Sequence, residues 1–229
     1  MCYYRFMHEI QKEILKKLSN TKKARYSELK RKGLEGNVFS YHLKSLIKEN
    51  YISQKDTGYV LSPKGKHLAD RVSSINFNER MQPKIVTMVV LKNNDKYLLY
   101  KRKKQPFFDY VGFPYGKIHL DERINDAASR ELTEKSGLKA QLKYRGHVHL
   151  TVHDETELIS SMICYVFTGD KVTGELLKEF PSGECYWGKL DDVVKNRLQP
   201  GAMKIQKLLE KNPKEIFFEE YFLNTSEEV

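Results

Sequence analysis

The stretch "GKIHLDERINDAASRELTEKSGL", residues 116–138, constrains the fold of this chain more than any other. Gly112-Phe113-Pro114 and Gly116 break the backbone into a loop just before the apolar periodicity of a helix begins. The spacing predicts a helix from about Ile124 to Ser136, ended by Gly137, with Leu138 folding back as an apolar contact. Glu131, Glu134 and position 135 then share one helix face at intervals of three and four. Carboxylates so placed would offer their oxygens together to a hard divalent cation. The third position is Lys135.

Upstream, "IVTMVVL" and "KYLLYKRK" read as strands of a buried sheet joined through "KNND". With these flanks, the stretch resembles the Nudix box: a Gly, five residues, Glu, seven residues, then Arg-Glu-apolar-any-Glu-Glu-any-Gly-apolar. Gly116, Glu122, Arg130, Glu131, Leu132, Glu134, Gly137 and Leu138 stand at matching places, and Lys135 departs from the pattern. "FPYGKI" also looks like the Pro-Gly-Gly-Lys loop common in that family, with Tyr115 for the first Gly. The resemblance covers about residues 85–211 and implies an α/β/α sandwich around a mixed sheet.

It further implies hydrolysis of the pyrophosphate bond of a nucleoside diphosphate derivative, with Mg²⁺ or Mn²⁺ as cofactor. Carried over residue by residue, Glu131, Arg130 and Glu134 are the catalytic candidates. The metal candidates are Gly116 through its carbonyl, Glu122, Glu131, Glu134, and Glu179 from the later loop "LKEFPSGECYW", where Glu184 is the other choice. Lys117, Lys135 and Tyr115 are the substrate-binding candidates.

Lys135 puts the metal in question. An ammonium about 5 Å from a dication is opposed by roughly 6–7 kcal/mol at an effective dielectric of about 20. Glu131 and Lys135 are spaced i, i+4 with the acid first, the favourable order for a helix ion pair. The lysine can therefore neutralise the carboxylate face, draw in a pyrophosphate directly, or snorkel to solvent while Glu131 and Glu134 hold one metal. Two functions stand side by side. One is a Nudix hydrolase; the other is a non-catalytic regulator that senses a nucleotide such as ADP-ribose.

Charge distribution bears on the second. Residues 1–84 carry 18 Lys and Arg against 8 Asp and Glu, whereas residues 85–229 carry 22 of each. The whole formal excess of +10 thus lies in the first third, as in a basic module joined to a neutral one. That third reads as helices at "HEIQKEILKKLSN", "RYSELKRKG" (with Ser27 as its cap) and "VFSYHLKSLIKEN" opened by Gly36 or Asn37. A hairpin around Asp56-Thr57-Gly58 and a last helix capped by Ser62 with Pro63 follow.

This order over residues 8–72 resembles a winged helix-turn-helix domain of the ArsR type. The resemblance implies duplex DNA as a partner. Base edges would meet Asn37, Ser40, Tyr41 and Lys44; phosphates would meet Lys22, Lys23, Arg25, Lys55 and Lys64. It also implies a homodimer reading two half-sites. Nudix-containing regulators more often carry the winged helix after the Nudix domain, and here the order is reversed. A protein-interaction module is the remaining class for this unit.

Other constellations read more plainly. His147, His149, Thr151 and His153 share one strand face opposite Val148, Leu150 and Val152, expected as a polar sheet face bordering a cleft. Tyr110, Phe113, Tyr115 and Trp187 are expected in core or rim packing, with base stacking as the alternative. Cys2, Cys164 and Cys185 form no paired motif, against a disulfide framework or a zinc knuckle. "QPGAMKIQKLLE" reads as a helix with Ala202, Ile205, Leu208 and Leu209 inward, and "IFFEEYFLNTSEEV" as a tail packing on a partner or the other domain. No apolar run is long enough to span a membrane, and a cytoplasmic location is expected. The expected fold class is α/β: a winged helix-turn-helix domain (1–72), a linker (73–84) and a Nudix domain (85–229).

Overall fold

The structure, a computed structural model, describes residues 7–73, 76–78, 80–177 and 179–225. Cys2 lies outside them. Two compact units divide the chain, Met1–Met81 and Gln82–Val229.

The first unit runs α1 (Glu9–Ser19), α2 (Tyr26–Leu29), α3 (Gly36–Lys48), β1 (Ile52–Lys55), β2 (Gly58–Leu61) and α4 (Pro63–Arg71). Ile10, Ile14, Leu15 and Leu18 of α1 meet Phe39, Leu43 and Leu46 of α3 in one core, as helical periodicity requires of two amphipathic helices. β1 and β2 pair antiparallel, and Ala24 bridges to Tyr59 beside them. Ser62 caps α4 by accepting from the Gly65 amide at 3.1 Å, with Pro63 at the first helical position.

One expected cap is misplaced. α2 begins at Tyr26, so Ser27 is inside it, and the Glu28 carboxylate accepts from the Arg25 amide at 2.6 Å. His8, which no cap rule singles out, caps α1 by accepting from the Ile10 amide at 3.2 Å. The break between units falls inside 73–84, but that segment is not an open spacer. Phe77 is buried in the first core, and Lys84 already starts the next strand.

The second unit is built on a nine-stranded mixed sheet in the order β11-β7-β8-β3-β4-β10-β9. Its strands are β3 (Lys84–Asn93), β4 (Lys96–Arg102), β5 (Val111–Gly112), β6 (Tyr115–Lys117), β7 (Lys139–Asp154), β8 (Glu157–Thr173), β9 (Glu179–Phe180), β10 (Gly183–Gly188) and β11 (Phe217–Asn224). β5 pairs with β4 and β6 with β3 at the margin. β3 lies parallel to β8 and is buried on both faces, which is why "IVTMVVL" reads as continuous rather than alternating apolar.

Val86, Met88 and Val90 face the core that holds Ala202 and Ile205 of α6 (Ala202–Lys211). Val89 and Leu91 face the core that holds Ala128 and Leu132 of α5 (Ile124–Ser136). Helices therefore cover both faces of the sheet. The C-terminal aromatic run, expected as a tail, is a strand of the sheet. It forms β11, parallel to β7, with Phe217 and Leu223 buried in the unit's own core. No helix among the described residues is long and apolar enough to cross a membrane.

Candidate functional site

α5 spans the residues its pattern predicts, from Ile124 to Ser136. Gly137 ends it at φ +72°, a left-handed conformation that glycine adopts without a side-chain clash. Leu138 is buried against the α5-side core. Val86, Thr87 and Met88 pair with Lys117, Gly116 and Tyr115, which lays the Gly116 backbone beneath α5. A Cβ at Gly116 would stand 1.8 Å from the Glu131 carboxylate, so only glycine lets that carboxylate lie against the chain.

Arg130 organises the acids. Its Nε donates to Glu122 Oε1 at 2.6 Å and Nη2 to Glu122 Oε2 at 2.8 Å, a two-pronged pairing. Nη1 reaches Glu131 Oε1 at 2.8 Å and Glu134 Oε2 at 3.3 Å, and Nη2 also donates to the Lys117 carbonyl at 3.0 Å. The guanidinium, and after it the His119 amide, hold the Glu122 carboxyl down to about 2. Glu134 is 60% exposed and touches only the edge of this network.

Lys135 turns inward. Its Nζ lies 2.7 Å from Glu131 Oε2, and the side chains of the pair are only 13% and 11% exposed. The same ammonium donates to the Tyr115 carbonyl, and it stands 5.5 Å and 5.6 Å from the ring centroids of Tyr100 and Tyr115. Burial pushes its pKa below the ordinary lysine value, while Glu131 pulls it back up. Of the three dispositions open to Lys135, the ion pair is the one adopted. Its ammonium is spent on protein acceptors rather than directed to solvent.

The donor set therefore does not fit a divalent cation at Glu131. One carboxylate oxygen faces Arg130 and the other faces Lys135. Among the described residues, no group of three His, Cys, Asp or Glu is placed to hold a metal. Glu179, on β9, is exposed and meets Lys103 at 3.4 Å; it does not complete such a group. Glu184 likewise faces Lys101 at 3.6 Å.

Tyr115 and Lys117 end up differently from each other. The Tyr115 hydroxyl accepts from Arg102 Nη1 at 3.0 Å, and burial pushes it up to about 12. The Lys117 side chain is exposed. Arg102 was not legible as a site residue. It looks like any strand-end arginine in "KYLLYKRK", yet it also donates to the carbonyls of Lys104, Gln105 and Pro106, fixing the loop beside Tyr115.

Phe113 is fully buried and offers no ring to a base, whereas Trp187 is partly buried and packs against the α5-side core. His149 lies between Glu220 at 3.1 Å and Ser161 at 3.2 Å, and His147 pairs with the Tyr144 hydroxyl at 2.9 Å. Burial pushes the Cys164 and Cys185 thiols up to about 12, which leaves them unreactive near neutral pH.

In the first unit, Asn37, Ser40, Tyr41 and Lys44 share one face of α3 opposite the buried Phe39, Leu43 and Leu46. Tyr41 is 71% exposed, whereas the Ser40 hydroxyl is 2.8 Å from the Tyr26 hydroxyl. Lys22, Lys23, Arg25 and Lys55 are exposed. Lys64 is held by the Glu49 carbonyl at 2.9 Å and lies 4.0 Å from the Tyr51 ring centroid.

Known proteins align with this division. The NUDIX domain family matches residues 81–210, and a domain of unknown function, DUF7347, matches residues 3–72. The N-terminal match does not identify an ArsR-type winged helix. An uncharacterised Nudix hydrolase of Bacillus subtilis, YvcI, is 28% identical over 119 residues, 51% of this chain and 72% of that protein. An ADP-ribose pyrophosphatase of Methanocaldococcus jannaschii is 28% identical over 115 residues, 50% of this chain and 67% of that protein. The solved structure of a mutator MutT protein from Bacillus halodurans superposes with a TM-score of 0.50 at 23% identity, over 61% of this chain and 89% of that one, a likeness of fold.

Proposed function

Since the chain belongs to the NUDIX domain family, we propose that it recognises a nucleoside diphosphate derivative without hydrolysing it through a metal. The observation that carries this reading is the Lys135 ammonium, 2.7 Å from Glu131 Oε2 and turned into the protein. A resident cation neutralises the carboxylate on which the family's metal chemistry depends, and a second dication beside it is opposed by charge. ADP-ribose is the first ligand to try, because the Methanocaldococcus relative is named for it.

The same proposal gives the basic N-terminal unit the role of a winged helix on duplex DNA. Support comes from the three-helix and hairpin order, the exposed α3 face and the concentration of positive charge in residues 1–84. The protein is then a homodimeric regulator, with Asn37, Tyr41 and Lys44 at base edges. Nucleotide binding in the second unit would bias DNA affinity, and by linkage DNA would bias nucleotide affinity equally.

The hydrolytic reading keeps one observation on its side. Arg130, Glu122 and Glu134 hold the arrangement that the rest of the box calls for, with Glu134 open to solvent. Turnover of ADP-ribose and NADH with Mg²⁺ or Mn²⁺ separates the two. Recognition without hydrolysis predicts no metal-dependent turnover by the wild type and a gain in Lys135→Glu. Robust wild-type turnover, abolished in Glu134→Gln, would overturn it.

A further inference from the structure

The second unit gathers three cations on one sheet face without giving them an acid. Lys84 begins β3, and residues two apart on a strand share a face, so it lies on the side of Val86 and Met88. β6 is registered against them, with Lys117 opposite Val86 and Tyr115 opposite Met88. Opposed residues also share a face, which sets Lys117 diagonally from Lys84, about 7–8 Å away in an antiparallel pair. Arg102 joins from the end of β4, where its Nη1 donates to the Tyr115 hydroxyl at 3.0 Å.

Among the described residues, none of the three meets a carboxylate. Lys84 Nζ donates to Ser160 Oγ at 2.9 Å, and the remaining contacts of Arg102 are the carbonyls of Lys104, Gln105 and Pro106. Lys117 leaves its ammonium in solvent. Lys84 is not an ordinary solvated lysine. It is partly buried, and its partner Ser160 is only 4% exposed. Burial, and after it the charges of Arg102 and Lys117, push its ammonium below the ordinary lysine value. Cations collected in this way repel one another until an anion joins them.

The strand that carries Tyr115 and Lys117 is itself tied to the box. Lys135 donates to the Tyr115 carbonyl, and Arg130 Nη2 donates to the Lys117 carbonyl at 3.0 Å.

We propose that Lys84, Arg102 and Lys117 form a clamp for the diphosphate of the ligand, supplying the positive charge that a metal would otherwise bring. A diphosphate has enough acceptor oxygens for all three, and Lys84 keeps two of its three N–H donors for it. Lys135 cannot take this part, because Glu131 and the Tyr115 carbonyl already hold its ammonium. The clamp rests on the reading of this unit as a nucleotide-recognition domain that works without a metal, and it extends that reading to Lys84 and Arg102, outside the box.

The test is calorimetry in EDTA, with inorganic pyrophosphate and ADP-ribose as probes. Pyrophosphate is expected to bind the wild type without metal. Lys84→Met and Lys117→Gln are each expected to weaken it about tenfold, the loss of one charge-assisted bond. Lys117→Arg keeps the charge at an exposed position and is expected to bind as the wild type does. A thermal melt checks that Lys84→Met folds, and Lys117→Gln probes the clamp through a side chain that lies in solvent. Parallel losses of ADP-ribose and pyrophosphate affinity support the clamp and the nucleotide reading together. Pyrophosphate binding with those losses, but no ADP-ribose binding, keeps the clamp and sinks the nucleotide reading. ADP-ribose bound equally by the wild type and both variants keeps that reading and overturns the clamp. Pyrophosphate that fails to bind, or binds only once Mg²⁺ is added, overturns the clamp as well.

Discussion

Glu131 meets Arg130, Lys135 and the Gly116 backbone at once. Removing its charge would leave the Lys135 ammonium buried without a counter-ion, a change that typically costs about 3–5 kcal/mol. Glu131→Gln should therefore lower unfolding free energy by about 3 kcal/mol in urea titrations, and a loss below about 0.5 kcal/mol would contradict the pairing.

Glu122 gives a pH signature. Its folded pKa of about 2 is below the ordinary 4.5, so its contribution to stability is fully present above pH 4.5. It is lost as pH falls from there through about 2. Melting temperatures of the wild type should fall across that window, and Glu122→Gln should flatten the fall.

The identities and spacing of these residues were legible because a helix converts intervals of three and four into one face. The inward turn of Lys135 was not. A lysine side chain has several rotamers, and the Tyr115 carbonyl and the flanking tyrosine rings that select this one come from other elements.

Among elements, α5 was legible at both ends, because Gly137 stops it, and α6 to within three residues at its start, because its apolar residues recur at helical spacing. α2 was misread at its start because a four-residue helix has little periodicity, and its cap came from Glu28 reaching back rather than from Ser27. β11 was missed for a different reason. Its sequence "FFEEYFLN" does not alternate, and its partner β7 precedes it by some seventy positions, as in Phe217 opposite Gly146. Nothing local announces such a pairing. At the α5–β6 contact, Gly116→Ala would drive a methyl into the Glu131 carboxylate. Overpacking of this kind costs about 1–3 kcal/mol and would loosen Lys135 as well. A variant as stable as the wild type would mean that the carboxylate does not rest on this backbone.

At the scale of the molecule, the charge asymmetry announced two units before any element was placed, and the division at Met81 follows it. The segment before that division was harder to read, because Phe77 joins the first core from a stretch without periodicity. If the basic unit holds duplex DNA, affinity must fall as salt rises, with a log–log slope of about −0.9 for each phosphate neutralised. Replacing Lys22, Lys23 and Arg25 with alanine should make that slope shallower by about 2 to 3 and weaken all sequences alike. Affinity that does not respond to salt would leave the first unit as a protein-binding module.

In the proposed function, Lys135 occupies the electrostatic place of a metal. Titration of the wild type and Lys135→Glu with Mn²⁺, read by electron paramagnetic resonance, distinguishes a resident lysine from a vacant metal site. The wild type is expected to show no saturable Mn²⁺ binding at about millimolar concentration, and the variant a bound ion. Saturable, Mg²⁺-competed Mn²⁺ binding by the wild type, lost in Glu134→Gln, would contradict it.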